Sequence, residues 1–301
     1  MFIALSFIGP LPKYIIECIH QIRCYFDKDI YLITNQLDSP YIESLIKYNI
    51  QIIDYNHVYS QEFNNILDLY RSKICIVNNL KGREELFIRS FERFFLLQNL
   101  MKNKNIEDAL FLELDNLIYD NPENWLIEFQ KNELCYMFDN YDRCSSGLMY
   151  VKTQNSLTNL LSYILNYIAT SNDFLNEMTA LYLYREQEPD KVQILPTLFA
   201  SRTSIPEITC EKYNNYYSIF DALAIGCYLL GIDTHHTNGV VETHKKAVWC
   251  LIDYTNDQFK WEIDEQGRKK PYIWSGEQWI LINNLHVHSK ELKNGLSKEI
   301  I

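Results

Sequence analysis

The chain is short of positive charge. Its 301 residues carry 28 Lys and Arg against 39 Asp and Glu, a net charge of -11. General nucleic-acid binding needs a basic face, so that class of partner is disfavoured. An anionic small molecule remains compatible, because a bound cation inverts the local field. The eight cysteines, Cys18, Cys24, Cys75, Cys135, Cys144, Cys210, Cys227 and Cys250, form no C-x-x-C pair. That argues against a zinc site or a redox motif and for reduced thiols in a cytoplasmic compartment. No stretch approaches the ~20 apolar residues that span a bilayer, so no integral membrane segment is expected. The apolar run Phe2–Ile8 has no basic flank before it and reads as a first core strand, not a signal peptide. The sequence contains no G-x-G-x-x-G loop after that strand, which disfavours a dinucleotide-binding domain, and no G-x-S-x-G, H-E-x-x-H, Walker or kinase signature. Internal repeats, linkers and low-complexity tracts are missing as well.

What is present is a hydrophobic fraction of 47% and an aromatic fraction of 14%, enough for a sizeable core. Strand and helix patterns alternate. Phe2–Ile8, Ile30–Thr34 and Ile50–Ile53 read as strands, separated by helices over Tyr14–Tyr25 and Tyr41–Tyr48. This order implies parallel pairing in an α/β sheet flanked by helices. Glu84–Lys102 reads as a long amphipathic helix that delivers the chain to a buried strand at 109–115. A helix over Glu123–Phe129, a strand over Leu134–Phe138 and a loop at Ser145–Gly147 leading into a strand follow. Helices over 154–170 and 174–184, a strand over Val192–Leu198 and a helix over Phe220–Leu230 complete the pattern; the tail from 240 onward is mixed. The whole reads as one compact domain.

The most informative stretch is Ala109-Leu-Phe-Leu-Glu-Leu-Asp-Asn-Leu-Ile-Tyr119. Glu113 and Asp115 stand at the carboxyl end of an apolar run, where open α/β sheets bind ligands. Carboxylates are expensive there unless something offsets their charge, and a divalent cation holding a phosphorylated ligand does so. His286 and His288, in Asn283-Asn-Leu-His-Val-His-Ser-Lys290, offer imidazole nitrogen to a borderline cation, and Lys290 can neutralise a phosphate. Ser145, Ser146 and Gly147 form a candidate phosphate or sugar contact, since glycine lets backbone approach a ligand closely. Asp221 reads as a helix cap or as a reactive carboxylate, with capping favoured. Asp139 and Glu177 are further carboxylates. Arg89 and Arg93, four apart on the long helix, can pair with acids near a metal or with phosphate, against a solvated face as the default.

The ordered set Arg-x-x-x-Arg-Phe, Phe-Leu-Glu-Leu-Asp-Asn-Leu-Ile-Tyr, Ser-Ser-Gly-Leu-Met-Tyr-Val, Phe-Asp-Ala-Leu-Ala-Ile-Gly and Leu-His-Val-His-Ser-Lys resembles GT-A-fold glycosyltransferases with a D-x-D motif, over roughly 1–290. The resemblance implies a GT-A-like (Rossmann-like) mixed, mostly parallel sheet. It implies a nucleotide-binding part over about 1–120 and an acceptor-binding part over about 121–290. Its cofactors would be Mn2+ or Mg2+ and a nucleotide-sugar donor, a UDP-sugar by preference; its acceptor would be a glycan or a protein. Carried onto this sequence, Glu113 matches the first acid, which contacts ribose or metal, and Asp115 the second, a direct metal ligand. His286 or His288 matches a histidine that completes the metal shell. Phe7, Ile8, Gly9, Thr34 and Asn35 fall where the family binds base and ribose. Glu in place of the first Asp is a departure, and its longer arm leaves direct ligation open.

On this reading the cation stabilises charge on a leaving diphosphate, aided by Lys290. An inverting reaction requires a carboxylate to take the acceptor's proton, Asp221 before Asp139; a retaining one leaves Glu177 or a carbonyl to assist. Two alternatives compete. A nucleotidyltransferase acting on sugar phosphates would carry a Gly-rich basic loop after the first strand, and Phe7–Lys13 is poor in both. A non-catalytic sugar- or protein-binding module would use Trp274 and Trp279 as a platform.

Overall fold

A computed structural model describes residues 1–59, 61–74, 84–171, 173–233, 240–241, 246–247 and 249–300. Cys75 lies outside the described residues, and the other seven cysteines are free thiols. Strands β1 (Phe2–Phe7), β2 (Ile30–Thr34) and β3 (Gln51–Asp54) alternate with helices α1 (Ile15–Arg23) and α2 (Ile42–Lys47). Helices α3 (Tyr55–Val58), α4 (Gln61–Ile74) and α5 (Glu84–Lys104) lead to β4 (Ala109–Leu112) and β5 (Asn116–Ile118). Helix α6 (Leu126–Phe129) precedes the hairpin of β6 (Leu134–Asn140) and β7 (Arg143–Val151). Then come α7 (Gln154–Thr170), α8 (Glu177–Gln187), β8 (Val192–Leu195), α9 (Tyr213–Tyr216) and α10 (Ala224–Leu230). The last strands are β9 (Val240–Val241), β10 (Lys246–Ala247), β11 (Phe259–Ile263), β12 (Lys269–Trp274), β13 (Trp279–Leu281) and β14 (Asn284–His286).

Seven strands form one sheet in the order β3-β2-β1-β4-β7-β6-β8. The first four are parallel, β7 runs against both of its neighbours, and β6 and β8 are parallel. This is the expected mixed, mostly parallel sheet flanked by helices. The alternation of β4 explains how it is covered. Ala109 and Phe111 face a cluster that includes Phe94 and Leu97 of α5 and Leu160 of α7, while Leu110 and Leu112 face one that includes Ile15 and Ile19 of α1. With both faces covered, all four residues are buried, which is why the segment reads as a continuous apolar run.

Two smaller pairings matter for the site. β14 runs antiparallel to β5, with Asn284 opposite Ile118, Leu285 opposite Leu117 and His286 opposite Asn116. The tail beyond is held by Gln21 of α1, fully buried, whose Nε2 donates to the Ile118 carbonyl at 2.6 Å and whose Oε1 accepts from the Ser297 N–H at 2.8 Å. Strands β11, β12 and β13 form a separate antiparallel sheet.

Several local expectations are corrected. The strand read over 109–115 ends at Leu112, and Glu113–Asp115 form a turn in which the Asn116 N–H donates to the Glu113 carbonyl at 3.0 Å. Ser145, Ser146 and Gly147 lie buried inside β7 and not in a loop, and Ser146 finds a partner there in Arg93. The strand read to Leu198 stops at Leu195, ahead of Pro196, which has no N–H to give a ladder. Helix α8 starts at Glu177, where the Asn176 side chain accepts from the Thr179 N–H at 2.9 Å. Helix α10 starts at Ala224, since the preceding residues are held by β14.

Candidate metal and nucleotide site

The acidic turn sits where β1 and β4, being parallel, both end. The β14–β5 ribbon carries His286 to the same place. Its Nε2 lies 3.3 Å from Glu113 Oε2 and 3.4 Å from Asp115 Oδ2. One ligand atom from each of Glu113, Asp115 and His286 lies within 4.8 Å of the others, and among the described residues this is the group of potential metal ligands found. The imidazole is oriented from behind: Nδ1 is 3.0 Å from the Ala222 carbonyl. A carbonyl only accepts, so Nδ1 carries the proton and Nε2 faces the acids. The donor set, carboxylate oxygen and imidazole nitrogen, fits a borderline divalent cation such as Mn2+.

Side-chain cations balance these acids. Lys290 donates from Nζ to Asp115 Oδ2, and Arg93 donates from Nη1 to Glu113 Oε1. Burial opposes ionisation of Asp115, but Lys290 and His286 outweigh it and hold its carboxyl well below the usual range. Burial equally disfavours the imidazolium of His286, yet the charge and hydrogen bond of Asp115, with Glu113, raise it to about 9. Arg93 is nearly buried; its Nη2 donates to Ser146 Oγ at 2.7 Å and lies 3.6 Å from Glu177. Burial raises the carboxyl of Glu177 against the pull of Arg93.

A cavity of about 480 Å³ adjoins the acids. Phe7 and Ile8 at the end of β1, Tyr14, Arg89, Arg93, Glu113, Asp115 and Lys290 all border it. Arg89 is paired with Glu92 and, at 3.3 Å, with Glu85. Gly9, Thr34 and Asn35 do not border it. The Gly9 N–H donates to Asn35 Oδ1 at 2.9 Å, tying together the loops after β1 and β2, and Thr34 Oγ1 accepts from the Gln36 N–H at 3.2 Å.

Gly147 packs closely behind the histidine. A Cβ there would stand 2.9 Å from Asn116 Nδ2 and 3.0 Å from His286 Nδ1, so a side chain at 147 would push into the histidine. Ser145 Oγ accepts from the Gly147 N–H at 3.3 Å.

The remaining candidates are not among the potential ligands of this cluster. His288 faces elsewhere: its Nδ1 accepts from the Asp233 N–H at 3.0 Å, and its ring centroid is 5.9 Å from that of Trp249. Asp221 lies two residues before Leu223, the N-cap of α10, yet it serves the first turn of that helix. Its carboxylate accepts from the N–H groups of Ile225 at 2.9 Å, Gly226 at 2.8 Å and His286 at 2.9 Å. Burial raises it to about 6 despite those donors. Asp139 is buried and paired with Arg143 at 2.7 Å. Neither carboxylate, nor Glu177, borders the cavity. Trp274 and Trp279 lie across from one another on β12 and β13 with centroids 5.2 Å apart, and Lys260 Nζ sits 4.3 Å over the Trp279 ring, covering that face.

Sequence reasoning missed Tyr14, Asn116 and Asn284. Asn116 directly follows the acids and Asn284 stands two before His286, so proximity along the chain to the quoted motifs was the available signal.

No protein-family model matches this sequence, and no curated protein does. Among solved structures, the chain is similar to mouse xyloside xylosyltransferase 1 in its apo form, at 9% identity over 65% of this chain and 84% of that one, with a TM-score of 0.42. It is similar to the galactosyltransferase LgtC in complex with donor and acceptor sugar analogues, at 10% identity over 69% and 81%, with a TM-score of 0.41. It is also similar to the PaToxG glycosyltransferase, at 14% identity over 62% and 69%, with a TM-score of 0.40.

Proposed function

We propose that this protein is a divalent-metal-dependent glycosyltransferase that moves a sugar from a nucleotide-diphosphate sugar, a UDP-sugar by preference, to a hydroxyl of a glycan or protein acceptor. The observation that carries this reading is the meeting of Glu113, Asp115 and the Nε2 of His286, with both acids at the wall of a cavity that Phe7, Ile8 and Lys290 also border. Asp115, Glu113 and His286 would hold Mn2+ or Mg2+; when bound, such a cation supplies Lewis-acid stabilisation to charge on a leaving diphosphate. Lys290 is then free to turn its ammonium from Asp115 to a phosphate oxygen. Phe7 and Ile8 offer an apolar wall to a base, and Arg89 and Arg93 also border the cavity. On this reading residues 1–120 supply most of the nucleotide contacts and 121–290 the acceptor side. Asp221 is assigned no proton transfer, because three backbone N–H groups already occupy its carboxylate.

A donor-hydrolysis screen over a panel of nucleotide sugars, with and without Mn2+, tests the proposal. Metal-dependent release of a nucleoside diphosphate from one donor is the expected result. No release from any donor, together with UDP binding that is indifferent to Mn2+ in calorimetry, would refute it.

A further inference from the structure

Asn284 is fully buried on β14, two residues before His286, so both side chains leave the strand on the same side. Its carboxamide makes three hydrogen bonds, with both N–H donors used. Oδ1 accepts from the Asp221 N–H at 3.1 Å, while Nδ2 donates to the Asp221 carbonyl at 2.9 Å and to Asn116 Oδ1 at 2.8 Å. One side chain thus fixes both main-chain groups of Asp221.

That residue and the next grip the histidine. The Asp221 carboxylate receives the His286 main-chain N–H at 2.9 Å, and the Ala222 carbonyl receives Nδ1 of the ring at 3.0 Å. Both grips on His286 therefore belong to a dipeptide that Asn284 holds. The third partner of Asn284, Asn116, lies opposite His286 in the ladder and directly follows Asp115. A buried network of hydrogen bonds so links the acidic turn to the histidine.

We propose that Asn284 is a positioning residue for His286. It sets the distance of Nε2 from Glu113 and Asp115, and through that distance the cation affinity of the cluster, without touching the cation. The proposal rests on the reading of Glu113, Asp115 and His286 as a cation site. An aspartate at 284 would not serve, because it lacks the two N–H donors and would face the Asp221 carbonyl and Asn116 Oδ1 with negative charge. Partners that orient a ligand of this kind change metal affinity by about 10–100-fold when removed.

Mn2+ titration followed by the paramagnetic resonance signal of the free ion tests this in a double-mutant cycle. Wild type, Asn284→Ala, His286→Ala and the double variant are compared, with urea denaturation to confirm folding. Asn284→Ala is expected to weaken Mn2+ binding about tenfold in the wild-type background and less than about twofold when His286 is already absent. Equal weakening in both backgrounds, or none in the first, overturns the positioning role while leaving the cation site standing. A wild-type protein that takes up no Mn2+ removes the cation site itself and the positioning role with it. If Asn284→Ala does not fold, Asn284→Ser takes its place in the same cycle, with the same outcomes decisive.

Discussion

Lys290 and Asp115, 175 positions apart in the chain, are joined by a hydrogen bond from Nζ to Oδ2. Lys290 holds this place in left-handed backbone, at φ 63°, which a residue with a Cβ adopts only at a cost of about 1–2 kcal/mol. On the function proposed above, the ammonium occupies an oxygen that the cation would use, so it would compete with metal and, once displaced, would be available to phosphate.

Lys290→Met is therefore expected to shift two affinities in opposite directions. Mn2+ binding should tighten about threefold, a modest change because the lysine is partly exposed and screened. The KM for the donor should rise about tenfold, with loss of a charge-assisted contact to phosphate. Resonance titration and steady-state donor hydrolysis measure the two; a variant weaker in both would show that the lysine supports the acids instead of competing for them.

Asp115→Asn removes the acid that both Lys290 and His286 face. Donor turnover should fall by about 100-fold or more, as for loss of a group that stabilises developing charge. The folded state should lose about 1–3 kcal/mol, because Lys290 and His286 are left less compensated. Circular dichroism should be that of the wild type, and wild-type turnover in this variant would remove Asp115 from the site.

Two glycines behind the histidine differ in what they tolerate. In a helix, Gly→Ala ordinarily stabilises by about 1 kcal/mol. At Gly226 of α10 a Cβ would fall 2.0 Å from the backbone oxygen of His286, which cannot yield without moving β14. Gly226→Ala should therefore destabilise by about 3 kcal/mol, reversing the usual sign. At Gly147 the nearest atoms are side chains at 2.9 and 3.0 Å, and about 1 kcal/mol is expected, with weaker Mn2+ binding. Urea midpoints rank the two variants, and the opposite ranking would contradict the packing described.

Asp264 sits in the tail hairpin. Burial works against its charge, but the Arg268 guanidinium and the N–H groups of Arg268 and Gln266 outweigh it and hold its carboxyl below the usual range. Its pKa is lower in the folded than in the unfolded state, so the stability it contributes is present above about pH 4 and lost as pH falls below that value. Asp264→Asn should be less stable than wild type at neutral pH, and the gap in urea midpoint should narrow progressively in acid. A gap that stays constant from neutrality into acid would mean that the carboxylate charge plays no part.

Where local patterning decided the structure, the sequence was legible. The runs at Phe2, Ile30 and Ala109 are strands because both of their faces are covered, and the helices between them follow from apolar spacing. Glu113, Asp115 and His286 were legible as residue types at a strand end and near a second motif. Their meeting was not, because it depends on the β14–β5 pairing between distant segments. Ser145 and Ser146 looked like loop residues; a single sequence does not reveal that Arg93 waits for Ser146 inside the core. The early start read for α10 failed for the same reason, since Asn284 holds Asp221 in place from 63 positions away. A buried asparagine leaves no periodic trace, and that is why Asn116 and Asn284 were missed.

The late arrival of β14 in the chain has a consequence for synthesis. A polypeptide emerging from the ribosome displays its two acids long before the imidazole that joins them exists. Products broken off ahead of residue 284 keep the acidic turn but lack its histidine and its lysine.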